Sequence, residues 1–267
     1  MLGKLIKHEW KAVAKTLFFI HLAIVAMTLV GKLLISIKAV QKSELLTASM
    51  IMVYALSVIA VGIGTHIYLA MRFYKNMYTD EGYLSFTLPV KSWEHIVAKG
   101  LIAMAWMVID GVVIVASIMI LAIPSTEYMD FVNIFANINI DWEWFSTLEG
   151  QDWLLFVEVV GIIISSLCVL PLTYYVSISI GQLFKNHKML FSVIVYVVIK
   201  NVQQVLGVVV TVISMLPSAM GNMDDSSSAS MNVVNSMMGG SLLLQLLYCV
   251  GFFLVIKFIM DKKLNLN

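Results

Sequence analysis

Apolar residues run almost unbroken through six stretches of this chain, 17–37, 47–71, 100–123, 153–180, 189–216 and 241–260. Each is close to the roughly 20 residues a helix needs to cross the hydrocarbon layer of a bilayer. Charged residues collect between the stretches rather than inside them. The pattern predicts an all-α membrane protein with six transmembrane helices, because only helices and closed barrels satisfy every backbone polar group in lipid.

Before the first stretch, residues 1–16 follow a different rule. Leu2, Leu5, Ile6, Trp10 and Val13 fall on one side at helical spacing, and Lys4, Lys7, His8, Lys11 and Lys15 fall mostly on the other. This predicts an amphipathic interfacial helix lying in the plane of the headgroups. Further on, Lys32 sits near the far end of the first span, from which it reaches the surface. The longest charged interruption is 72–99. Within it Thr79, Asp80 and Glu81 are suited to start a short helix, and Pro89 is suited to end one. Residues 125–152 form the largest polar connection. They hold Glu127, Asp130, Asp141, Glu143, Glu149 and Asp152 with no Lys or Arg, beside Trp142 and Trp144, which suit a membrane surface. An acidic surface of this kind would attract a cationic amphipathic molecule. Pro171 interrupts the fourth span and predicts a kink. Residues 181–188 form a tight basic turn, and the Ser- and Asn-rich stretch 217–240 predicts a mobile loop.

Composition agrees: 60% of residues are hydrophobic, 12% are charged, and the mean hydropathy is +0.92. The net charge of +1 is uninformative, but its distribution orients the chain. Lys and Arg gather in 1–16, 72–99, 181–188 and the C-terminal tail, while Lys38 and Lys42 alone fall on the other side. Basic loops stay in the cytoplasm, so both termini and the 72–99 loop are expected there. Cys168 and Cys249 lie inside apolar runs without a C-x-x-C pattern, which reads as buried structural thiols.

The motifs of common chemistries are missing. There is no G-x-x-x-x-G-K-[ST] loop, H-E-x-x-H motif, Cys/His cluster or G-x-S-x-G elbow. The sequence thus points away from an enzyme, a metal centre and nucleic-acid binding. Four ionisable residues remain at membrane depth: His66, Asp110, Glu158 and Lys200. Such residues are costly in lipid and mark functional sites or inter-helix tethers. Asp110 and Lys200 lie deepest and are candidates to pair; His66 and Glu158 lie nearer span ends, where Glu158 is placed to reach water.

The 72–99 loop resembles that of ABC-2-type transporter permeases, the membrane subunits of bacterial ATP-binding-cassette exporters. The resemblance rests on Asp80-Glu81-Gly82-Tyr83-Leu84, then Leu88-Pro89-Val90, then Lys99 at the opening of span three. It implies that the loop is a coupling helix that docks on a separate cytoplasmic ATPase. Asp80 and Glu81 would meet basic residues there, and Tyr83, Leu84 and Phe86 would fill a groove, with Gly82 and Pro89 shaping the turn. It also implies a second permease subunit, identical or not, and ATP with Mg²⁺ on the partner rather than on this chain. The exported substrate would be hydrophobic or amphipathic: a peptide, lipid or drug. Two other functions compete. One is an autonomous ion-coupled transporter or channel built on Asp110 and Lys200; the other is a membrane sensor or scaffold that binds an ATPase-like partner.

Overall fold

A computed structural model of the chain describes residues 2–87, 89–123, 147, 150–220 and 226–262; the side chains at 39, 41, 83–86, 151 and 217–230 are outside that description. The described residues contain α1 (Leu2–Ile35), α2 (Lys38–Gln41), α3 (Glu44–Tyr78), α4 (Asp80–Thr87), α5 (Ser92–Ala122), α6 (Gly150–Gly181), α7 (Lys188–Met220) and α8 (Ser226–Lys262), and no strand. Six of these helices, all but α2 and α4, are long and apolar enough to cross a membrane. This is a multi-pass helical membrane protein. Leu33, Met52, Val112, Val193 and Leu247 are among the many large apolar side chains left on the outer surface, where lipid takes the place of a protein core.

The helices are longer than the apolar runs that predict them. The 34 residues of α1 rise about 51 Å, against an apolar layer of about 30 Å. Residues 1–16 therefore do not form a separate in-plane helix. No proline or break separates them from the first span, and Glu9, Val13, Leu17, His21, Ile24 and Thr28 make one continuous buried stripe through both parts. The stripe runs through a single helix where the change in polarity suggested two. Similarly, α3 continues through Tyr78 and α5 starts at Ser92, so the 72–99 interruption shrinks to a short connection carrying α4. The start of α5 is fixed locally: Glu94 Oε2 accepts from the Lys91 backbone N–H at 3.1 Å, a reciprocal cap at a helix N-terminus. The 217–240 stretch is largely helical, since α7 runs through Pro217 and α8 begins at Ser226. Serine suits a helix start, and that preference outweighs the loop-like composition. Pro171 lies within an unbroken α6. The expectations for 125–152 fall almost wholly on residues outside the description.

The chain divides into two compact units, Met1–Met71 with Leu101–Ile140, and Arg72–Gly100 with Asp141–Asn267. In the first, α1 packs on α5 through stacked Trp10 and Trp106, whose ring centroids are 5.2 Å apart. Tyr54 of α3 shares a 2.7 Å hydrogen bond with Ser117 of α5. Lys32 does not reach out to the surface; its Nζ donates to the carbonyl of Ile123, just past the end of α5, where helix carbonyls lack partners. In the second unit, α6, α7 and α8 pack on one another. The buried apolar residues concentrate at the end that carries α4: Phe73 and Met77 from α3, Ile96 from α5, Tyr175 and Val176 from α6, and Ile256 and Ile259 from α8. Cys168 and Cys249 are half-buried thiols that form no disulfide, and the Cys249 thiol is 3.8 Å from the Ser165 carbonyl.

Candidate functional site

Two polar clusters stand out, one in each unit. In the second unit, the cluster holds α4 in place. Asn76, two residues before the end of α3, is the hub. With its amide turned to suit its neighbours, Nδ2 donates to the Arg72 carbonyl at 3.2 Å and to Glu81 Oε2 at 3.0 Å, and Oδ1 accepts from Lys99 Nζ at 3.2 Å. A carbonyl and a carboxylate only accept and an ammonium only donates, so the three partners dictate that orientation. One side chain thus joins α3, α4 and α5. Lys99 is buried rather than exposed at a loop end. Its carbonyl accepts from the Tyr175 hydroxyl of α6 at 3.2 Å, and Tyr175 stacks on Phe73 with centroids 3.8 Å apart. Such an aromatic pair adds roughly 0.5–1.5 kcal/mol beyond its burial. Tyr78 donates to Ser179 at 2.6 Å, a second tie from α3 to α6.

The turn into α4 is equally constrained. Thr79 does not cap α4; its hydroxyl bonds back to the Lys75 carbonyl at 2.5 Å, closing the last turn of α3. The Thr79 carbonyl then accepts from the Gly82 N–H at 2.7 Å. A Cβ on Gly82 would lie 2.7 Å from the Met77 carbonyl oxygen, which is backbone and cannot swing away. Gly82 is required for this close approach. Asp80 and Glu81 are exposed in the first turn of α4, and α4 ends at Thr87, two residues before Pro89. Of the sequence candidates here, Asp80 stays available at the surface and Pro89 is exposed. Glu81 faces both ways, since one oxygen is engaged by Asn76. The side chains of Tyr83, Leu84 and Phe86 are outside the described residues.

In the first unit, Asp110 of α5 meets His21 of α1 and Thr65 of α3. His21 Nε2 is 3.1 Å from Asp110 Oδ1, an ion-pair contact without the alignment of a full hydrogen bond, and Thr65 Oγ1 donates to the same oxygen at 3.3 Å. All three are buried, Thr65 completely. His21 Nδ1 donates to the Leu17 carbonyl at 2.7 Å, so this nitrogen carries a proton and Nε2 is the one presented to the carboxylate. Within its own unit, the partner the structure gives Asp110 is therefore His21. The sequence signal for His21 was its place on the buried stripe of α1, four residues after Leu17 and three before Ile24. His66 is half-buried beside Thr65.

Lys200 lies half-buried at mid-span on α7 and makes no hydrogen bond or ion pair among the described residues. Asn201 and Gln204, beside it on the same helix, are exposed. The Asn201 amide folds back on the Val197 carbonyl at 2.8 Å, and Gln203 reaches Thr173 of α6 at 3.4 Å. None of the apolar window of α7 is buried, against 22% in α5, so this polar patch lies on the least covered span. Glu158 of α6 is 8% exposed, with Oε1 set against Gly239 of α8.

No protein-family model, curated protein or solved structure matches the chain.

Proposed function

We propose that this chain is the permease subunit of an ABC-2-type exporter, moving a hydrophobic or amphipathic substrate with ATP hydrolysed by separate cytoplasmic ATPase subunits. The observation that carries the reading is α4. It is a short helix with an exposed acidic first turn, set between the second and third long helices and bound to both by Asn76. An ATPase that displaced α4 would pull on α3 and α5 through Asn76, and on α6 through Lys99 and Tyr175. The second permease subunit has a natural place against α7, because Lys200, Asn201 and Gln204 need protein or water rather than lipid around them. ATP and Mg²⁺ belong to the partner ATPase in this reading.

The test is recovery of the ATPase. Asp80→Lys with Tyr83→Ala alters a surface charge and a groove-filling ring without touching Asn76, Lys99 or Gly82. Where an aromatic anchor is a hot spot, its loss costs about 2 kcal/mol or more. The double variant is expected to reach the membrane at parental levels while the ATPase encoded with it copurifies at least tenfold less. Parental recovery together with parental transport would remove α4 from the interface. Orientation has its own test. A cysteine at exposed Asn186 should resist an impermeant maleimide in intact cells, and one at Ser43 should react; labelling at position 186 would invert the topology.

A further inference from the structure

α7 turns one face to its neighbours and another away from them. It packs on α6 and α8. Gln203 reaches Thr173 of α6, Ser214 reaches the Ser236 carbonyl of α8, and a Cβ on Gly240 of α8 would stand 2.7 Å from Val210. Positions 203, 210 and 214 share one face at helical spacing. The opposite face carries Ile194, Val198, Asn201, Val205, Val208 and Val212. Successive members are four, three, four, three and four residues apart, which is the spacing of a coiled-coil seam. All six are exposed, the five aliphatic ones between 46% and 61%. The stripe rises about 27 Å, nearly the depth of a hydrocarbon layer of about 30 Å.

Asn201 stands within this stripe with aliphatic positions on both sides of it. Its amide donates to the Val197 carbonyl at 2.8 Å and keeps a second N–H and its oxygen without partners among the described residues. Gln204, one turn on and at the flank of the stripe, is exposed and makes no hydrogen bond among the described residues. Lipid tails offer neither donor nor acceptor, so these groups call for a second polar surface at the same depth. A water-filled path would be lined by polar side chains turn after turn. Here isoleucine and four valines fill every position of the stripe but one, which suits a dry contact. A single Asn in an otherwise aliphatic, β-branched seam is the pattern that fixes register between paired helices.

We infer that α7 packs in parallel against α7 of a second copy of this chain, with Asn201 against its own counterpart across a two-fold axis normal to the membrane. Copies of one chain cross the bilayer in the same sense, so equivalent residues lie at equal depth. At a two-fold axis each residue of the seam meets itself. A carboxamide carries both a donor and an acceptor, so two of them satisfy each other, whereas two like charges would repel. Lys200 falls outside the stripe, and the contact does not bring its charge onto the axis. The inference rests on the part of the proposed function that sets a second subunit against α7, and names that subunit as an identical chain; the ATPase has no part in it.

The experiment uses the full chain in lipid vesicles. Single-molecule subunit counting over a series of protein-to-lipid ratios gives the monomer–dimer equilibrium. The parent should dimerise, and Asn201→Leu should weaken the dimer about tenfold. Asn201→Gln keeps the amide and should weaken it less. Register is read by oxidative cross-linking in a chain that also carries Cys168→Ala and Cys249→Ala. Val208→Cys should link two chains, while Ile213→Cys, as exposed but off the stripe, should not. A parent that stays monomeric at every ratio overturns the assignment. So does a dimer indifferent to Asn201→Leu, or one linked through Ile213→Cys and not through Val208→Cys. Linkage of Val208→Cys in cells to a different membrane protein would overturn the identical partner. No ATPase is present in the vesicles, so failure of the ATPase to copurify with the chain would leave these results standing, and a monomeric parent would leave the ATPase recovery to be judged by itself.

Discussion

Asp110→Ala is expected to destabilise the protein by about 3 kcal/mol, because it breaks a buried charged contact and strands the groups that remain. His21 Nε2 and the Thr65 hydroxyl would lose the oxygen they share, at a site where all three residues are buried. His21→Leu alone should cost a similar amount by leaving the carboxylate facing apolar surface. The double variant, His21→Leu with Asp110→Leu, should recover much of the loss, since replacing both partners with apolar groups removes the stranded polarity altogether. Chemical denaturation in mild detergent, run as a double-mutant cycle, measures the coupling. Strict additivity of the two single changes would mean that the contact contributes nothing. Under the proposed function, an intact fold with transport lost in the double variant would mean that the pair does more than tether the helices.

Asn76→Leu is the second change with a large expected effect. It removes three hydrogen bonds at once, two of them to charged groups, and it keeps the volume of the side chain nearly constant. A hydrogen bond to a charged partner is worth roughly 1.5–3 kcal/mol. A loss of about 2 kcal/mol in the local tie of α4 should speed amide hydrogen exchange over Asp80–Thr87 by about 30-fold. Exchange in α7, which supplies none of the hydrogen bonds described for this cluster, should stay as in the parent. Gly82→Ala should act in the same direction by forcing α4 away from the Met77 carbonyl. Under the proposed function, both variants should also hydrolyse ATP without response to substrate while still binding the ATPase. Unchanged exchange in α4 would mean that Asn76 is not its anchor, whatever the chain does in the membrane.

The apolar runs located the six long helices because the bilayer imposes its length on any chain that crosses it, and that constraint can be read one residue at a time. The position of α4 was legible for a similar reason. Acidic residues at its start and Pro89 just beyond its end are local signals, and they act within a few residues of where they stand. Local polarity misled where a helix carried its buried face past the edge of the apolar run. The buried stripe from Glu9 to Thr28 runs through one continuous α1, including a segment whose lysines suggested a separate in-plane helix. The serine-rich stretch at 226–230 opens α8, although its composition suggested a loop.

The partners of the buried polar groups were beyond reach of the sequence. Asp110 has several polar residues at comparable depth on other segments, and nothing local singles out His21 as its mate. That choice depends on which faces of α1, α3 and α5 turn toward one another, and those faces are set by packing between segments far apart in the chain. Asn76 is an ordinary asparagine near a helix end until Glu81 and Lys99 are brought to its amide. Gly239 is one small residue among many until Glu158 is laid against it. The sequence by itself determined the number of long helices, the membrane environment and the place of the short helix between the second and third of them, because periodicity, length and local caps act along the chain. Only the tertiary structure decided which polar side chains meet, because a hydrogen bond or ion pair exists only where two separately folded segments bring its atoms to about 3 Å.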